Sequence, residues 1–282
     1  MTFDRRITPF RADLADENLR GQVDAERFAS GTMKRVAAPF ESLYRHPSRE
    51  APIDTQAIIG EAVTVYDEHE GWSWVQLHDD GYVGYLPSSA LGEPGPERTH
   101  RVSAVRTFTY PGPNLKLPNT GFLTLNSKLA VTEIEGSYAR LSDGGWVFAP
   151  HLSELSSFET DYVAVAERLL HTPYLWGGKT SVGLDCSGLA QIALTAAGIK
   201  APRDSDMQEQ QLGTAVEVKS DLGGLQRGDL VFWKGHVGLM LDATRLIHAT
   251  GHSMTVYVEA LAVAEERIRT TSYGPITAIK RL

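Results

Sequence analysis

A pattern of short β-type runs occurs twice in the first part of the chain, and this repetition narrows the fold more than any other feature. Ala62-Val63-Thr64-Val65-Tyr66-Asp67 is answered by Leu129-Ala130-Val131-Thr132-Glu133-Ile134, and Trp74-Val75-Gln76-Leu77 by Tyr138-Ala139-Arg140-Leu141. Gly81-Tyr82-Val83-Gly84 is answered by Gly145-Trp146-Val147-Phe148, and the closing Pro87-Ser88-Ser89-Ala90-Leu91 by Pro150-His151-Leu152. The period is roughly 60 residues, which is one small supersecondary unit. Runs this short, rich in β-branched and aromatic residues and broken by turns, suit small barrels better than one large sheet. The spacing predicts all-β domains over 34–95 and 96–154, joined through Gly92-Glu93-Pro94-Gly95-Pro96. The polar residues 1–33 read as an arm on the first barrel, with a short helix at 24–28.

From residue 155 to 282 the pattern changes. Tyr162, Val165, Ala166 and Leu169 make one apolar face of a helix over 159–170. Leu189, Ile192, Ala193 and Ala196 recur at i, i+3, i+4 and i+7 and predict a second helix over 186–197, stopped by Gly198. A polar loop with Arg203-Asp204-Ser205 follows, and then strands at 229–233, 236–241, 245–249, 255–258 and 276–280. Helices followed by a run of strands indicate an α+β domain.

Cys186, the only cysteine in 282 residues, falls in the first turn of the second helix. Unpaired N–H groups and the helix dipole favour a thiolate there, although a lone cysteine is most often a small core residue. Asp185 before it has the place of an N-cap. A nucleophilic sulfur needs a base, and the base needs a partner that fixes its tautomer. His236 and His248 fall in two strands of one hairpin. A turn centred at Asp242 pairs Met240 with Thr244, Gly238 with Leu246 and His236 with His248, putting both rings on one face with Cβ atoms about 4.5–5.5 Å apart. His236 is the candidate base, with Gly235 and Gly238 leaving space around it, and His248 the orienting group. His252 is a weaker choice for that third role.

A single cysteine excludes a disulfide framework, and no cysteine–histidine spacing resembles a structural zinc site; thiol hydrolysis itself needs neither metal nor organic cofactor. The net charge of −8 argues against a nucleic-acid partner. No window approaches the roughly 18 apolar residues of a membrane span, and no apolar core of a signal peptide follows Met1. A cytoplasmic monomer is the expectation.

Pro173-Tyr174-Leu175-Trp176-Gly177-Gly178, Asp185-Cys186-Ser187-Gly188-Leu189, Gly228-Asp229-Leu230-Val231-Phe232, His236-Val237-Gly238 and Ile247-His248-Ala249 resemble, in order and spacing, the motifs of NlpC/P60 cysteine peptidases. The two repeats resemble bacterial SH3-like domains. The resemblance implies a papain-like catalytic domain preceded by two SH3-like barrels, with Cys186 as nucleophile, His236 as base and His248 as orienting residue. The whole chain is similar to γ-D-glutamyl-L-diamino acid endopeptidases that process murein peptides. That subgroup requires a free N-terminal L-alanine, as in L-Ala-γ-D-Glu-diaminopimelate. By this resemblance Asp185 and Glu50 hold the alanine ammonium and Tyr82 reaches into the site. Tyr85 stands where the subgroup usually has tryptophan, so it is the alternative to Tyr82. Tyr174, Trp176, Ser187, Arg203 and Ser205 line the pocket, the polar ones near the D-glutamate carboxylate.

The expected reaction is attack of Cys186 on the γ-carbonyl of D-glutamate, in peptidoglycan turnover or recycling, with N–H groups at the helix start stabilising the oxyanion. Two rivals stand beside it. One is a non-catalytic cell-wall-fragment binding protein using the repeats; the other is amidase or acyl-transfer chemistry on the same fold.

Overall fold

The computed structural model describes residues 3–282. The chain divides into two compact units, Met1–Ser156 and Ser157–Leu282.

In the first unit the arm carries no helix at 24–28. Arg27–Ala29 is instead a strand paired in parallel with Leu14–Asp16, and a helical turn lies at Glu17–Leu19, capped by the Asp16 carboxylate. The reason is tertiary: Leu14 packs with Tyr66, Trp74 and Val83 on the outer face of the first barrel, which fixes the arm as a ribbon. Arg11 completes the cover, its guanidinium 4.4 Å from the Trp74 ring centroid and bonded to Asp67 and the Tyr85 hydroxyl. The first barrel is a seven-stranded sheet whose spatial order is 53–58, 40–44, 83–87, 72–77, 62–69, 32–36, 91–92. Its interior holds Val36, Leu43, Ala57, Val63, Val65, Val75, Leu77, Tyr82 and Leu86.

The second repeat reuses the same order of elements. Val131–Glu135 pairs with Tyr138–Leu141, as Ala62–His69 pairs with Trp72–Leu77, and each copy closes on a short 3-10 turn, Ser88–Ala90 or Ala149–His151. Its core is thinner, built on Val102, Leu123, Leu129, Leu141 and Val147. Within this unit the barrels meet at Gly60, where the Lys128 N–H donates to the Ile59 carbonyl at 3.0 Å.

The second unit holds α1 (Tyr162–Arg168), α2 (Cys186–Ala196), α3 (Ser205–Gln211) and α4 (Leu261–Thr271) with a six-stranded antiparallel sheet. The spatial order of its strands is 214–216, 278–281, 230–233, 236–240, 245–250, 255–260. Asp161 caps α1 by accepting the N–H groups of Val163 and Ala164. Leu189, Ala190, Ala193 and Leu194 of α2 are fully buried. Two helices occupy stretches read from sequence as loop or left unassigned, α3 and α4. The signal for α4 was present, since Leu261, Ala264 and Ile268 recur at i, i+3 and i+7 and pack on Val231, Trp233, Met240, Leu246 and Ile279. The fold is a papain-like α+β domain preceded by SH3-like barrels, and no helix among the described residues is long and apolar enough to cross a membrane.

Gly60 has φ +86°, and a Cβ there would lie 2.0 Å from the Lys128 carbonyl oxygen, whereas Gly136 has φ +57° with open space around it. Gly136→Ala is therefore expected to cost about 1 kcal/mol, the left-handed backbone penalty alone. Gly60→Ala, which adds a backbone clash, is expected to cost about 3 kcal/mol. Urea titrations that gave equal losses would show that the barrels do not meet closely at Gly60.

Candidate active site

Asp185 is the fixed point of the site. As N-cap of α2 it accepts the Gly188 N–H at 2.7 Å, and the Gly177 N–H reaches its other oxygen at 2.9 Å. Arg203 closes a two-pronged ion pair on it, Nη1 to Oδ1 at 3.0 Å and Nη2 to Oδ2 at 2.6 Å. The Ser187 hydroxyl adds a fifth donor at 3.2 Å. A carboxylate offers about four lone-pair sites, so this one is saturated from within the chain. The capping role open from sequence is thus the one occupied, and the positive charge beside Asp185 comes from Arg203. Arg203, expected near a substrate carboxylate, is 1% exposed and also donates to the Ser187 hydroxyl at 2.8 Å. Gly188 permits the approach, because a Cβ there would fall 2.1 Å from the Gly178 carbonyl oxygen.

Cys186 is the first residue of α2 and is 8% exposed. Its N–H lies ahead of the helix's own hydrogen-bond ladder. The backbone N–H groups of Val237 and Ser187 face the sulfur. The thiolate expected at a helix start is not the resting form. Burial and the adjacent Asp185 charge push the thiol up to about 12, outweighing those N–H groups and Arg203.

His236 and His248 come together, Nε2 of the first to Nδ1 of the second at 2.8 Å. The register differs by two residues from the expected one, since Leu239 faces Ile247 and Met240 faces Leu246. A shift of two preserves the face, so the rings meet diagonally instead of directly opposite. Gly238 makes room for Leu246, whose Cδ1 would lie 2.6 Å from a Cβ there, and not for an incoming chain. Burial holds His236 well below its ordinary value and lowers His248 as well, so both rings rest neutral.

Three further residues escaped the sequence reading. Glu259 accepts from His248 Nε2 at 2.9 Å, and Arg267 grips Glu259 through both nitrogens at 2.6 and 2.7 Å. Tyr273 stacks on His236 with parallel rings and centroids 5.7 Å apart. A charged residue at the end of a strand and an aromatic in a loop carry no pattern that marks them in advance. His252, the alternative third residue, is exposed, and its N–H bonds the Thr250 hydroxyl.

Tyr174 is half-buried, and burial together with the nearby Cys186 and Asp185 raises its phenol. Trp176 is 65% exposed, and Ser205 is buried as the first residue of α3. In the first unit Glu50 is exposed, Tyr82 is 4% exposed among the barrel core residues, and Tyr85 is held by Arg11 under the arm. No group of three or more acidic, histidine or cysteine side chains able to hold a metal occurs among the described residues.

Residues 171–271 match the NlpC/P60 family, and residues 43–91 match the bacterial dipeptidyl-peptidase SH3 domain. The chain is 28% identical to dipeptidyl-peptidase 6 of Lysinibacillus sphaericus, over 88% of this chain and 98% of that protein. It is 28% identical to the γ-D-glutamyl-L-lysine dipeptidyl-peptidase of Bacillus subtilis, over 77% of this chain and 79% of that protein. An NlpC/P60 family protein from Bacillus cereus shares its fold, with a TM-score of 0.74 at 21% identity, covering 89% of this chain and 99% of that one.

Two measurements check the electrostatics. Arg203→Met leaves the buried Asp185 carboxylate without its countercharge, and a loss of about 3 kcal/mol in urea unfolding is expected; a loss under about 1 kcal/mol would mean that the backbone donors suffice. Alkylation of Cys186 by iodoacetamide should keep accelerating above pH 9, because the thiolate fraction grows until the raised value of about 12. A plateau near pH 9 would refute the desolvated thiol.

Proposed function

We propose that this chain, whose residues 171–271 match the NlpC/P60 family, is a cysteine peptidase cleaving the bond between γ-linked D-glutamate and a diamino acid in murein peptides. One observation carries the reading. The imidazole pair His236–His248 is hydrogen-bonded at 2.8 Å, and the N–H of Val237, next along from His236, faces the Cys186 sulfur. The names of the relatives that act on γ-D-glutamyl-L-lysine support the substrate class.

The reaction starts from a neutral pair. His236 Nε2 is engaged by His248, so Nδ1 is the nitrogen left to accept the thiol proton. Because the thiol is raised and the imidazole lowered, proton transfer accompanies attack of the sulfur on the γ-carbonyl carbon and does not precede it. The oxyanion that forms faces the Cys186 N–H at the start of α2. The His236 imidazolium then protonates the departing amine, leaving a thioester of the glutamyl carbon with Cys186. Water, relieved of a proton by His236, hydrolyses the thioester and restores the thiol. Trp176 offers an exposed indole face for the peptide, while Asp185 and Arg203 hold the start of α2 in place.

Incubation with L-Ala-γ-D-Glu-meso-diaminopimelate is expected to release L-Ala-γ-D-Glu and free diaminopimelate, identified by mass, with the N-acetylated peptide cut more slowly. Cys186→Ala should lower the rate by more than about 1,000-fold. A Cys186→Ala protein as active as the parent would end the thiol reading, and equal cleavage of the blocked peptide would end the free-amine preference. The acid limb of kcat/KM should lie below pH 6.5, because only protonation of His236 removes the base and its environment postpones that protonation to lower pH.

A further inference from the structure

The hydrogen-bonded line that begins at His236 does not stop at His248. It crosses three adjacent strands, each step reaching a diagonal neighbour: His236 to His248, then His248 to Glu259, whose directly opposite residue is Leu246. From Glu259 it passes to Arg267 on α4, through two bonds of 2.6 and 2.7 Å. The Glu259 side chain is nearly buried against these two partners. Burial alone would raise its carboxyl, but the bonds from Arg267 and His248 hold it near 2, so it is ionised at any working pH.

We propose that Glu259 and Arg267 are positioning residues that fix the tautomers of both histidines and thereby aim the basic nitrogen of His236. The chemistry follows from which atoms can donate. An ionised carboxylate only accepts, so His248 must carry its proton on Nε2. Its Nδ1 is then the acceptor, so His236 must present Nε2–H. That leaves His236 Nδ1 with a lone pair and no hydrogen bond within the chain among the described residues. A single ion pair thus dictates, two rings away, which nitrogen is the base. Arg267 keeps the carboxylate from sharing the proton. The proposal rests on the thiol-peptidase reading for its consequence in catalysis, but not for the tautomers themselves.

The groups facing the rings are few. His236 is met by Trp233 from its own hairpin, by Tyr273 from the loop after α4, and by His248. Glu259 and Arg267 act on it from further along the line. His248 is met by Glu259 and feels Arg267 and His252. Removing the carboxylate charge makes protonation of the pair harder; removing the guanidinium makes it easier. The two substitutions should therefore move the acid limb in opposite directions, which loss of packing would not do.

The test uses the full chain in two ways. In protein labelled with 15N-histidine at pH 8, two-bond proton–nitrogen correlations should show both His236 and His248 as Nε2–H tautomers. In Glu259→Gln, whose amide can donate as well as accept, His248 should become a mixture. With L-Ala-γ-D-Glu-meso-diaminopimelate as probe, Glu259→Gln should lower kcat about 10- to 100-fold, shift KM less than about threefold and move the acid limb to lower pH. Arg267→Met should move that limb to higher pH. An Nδ1–H tautomer at His248 in the parent, or Glu259→Gln with unchanged ring signals, would overturn the proposal. So would limbs that move together. A parent protein that leaves the probe intact would count against the peptidase reading alone, since the ring signals of the resting protein decide the tautomers without turnover.

Discussion

The buried pair between Asp185 and Arg203 is the interaction on which the rest of the catalytic unit depends. Through one carboxylate it joins the turn at Gly177, the first turn of α2 and the segment leading into α3, three successive stretches of the chain. Such a pair adds little net stability compared with an apolar substitute, because both charges leave water. What it supplies is position. The start of α2, and the sulfur it carries, cannot shift without separating a buried charge from its partner.

Burial, with the Asp185 charge beside it, keeps the sulfur protonated against the pull of Arg203. A helix N-terminus attracts negative charge, but the cap at that terminus is itself negative, and the sulfur is buried. Desolvation and the Asp185 field therefore prevail over the dipole. A neutral thiol and a neutral imidazole avoid isolated charges in a buried site. In the proposed reaction, charge develops only as the sulfur bonds to carbon, where the N–H at the helix start can meet the oxyanion.

A second pair, Glu259 with Arg267, stands on the far side of the histidines and repeats the two-pronged grip, with the oxygen held by Arg267 Nη2 also accepting from the His248 ring. The site is thus bounded by two ion pairs, one holding the helix that carries Cys186 and the other at the end of the line of rings. Tyr273 and Trp233 flank His236 and limit how its ring can turn.

Much of this was legible in the residues themselves. Repetition of β-type runs gave the two barrels, helical spacing gave α2 with Cys186 at its head, and parity along two strands gave a shared face for His236 and His248. Parity survived a two-residue error in register because side chains alternate with a period of two. What the sequence could not decide was anything set by contacts between distant segments: the arm as a ribbon over Trp74, the saturation of Asp185 by Arg203, the neutral thiol, and Glu259 behind His248. Local patterns record which way a side chain points, whereas partners and desolvation depend on what the folded chain brings against it, and no spacing along the chain encodes that.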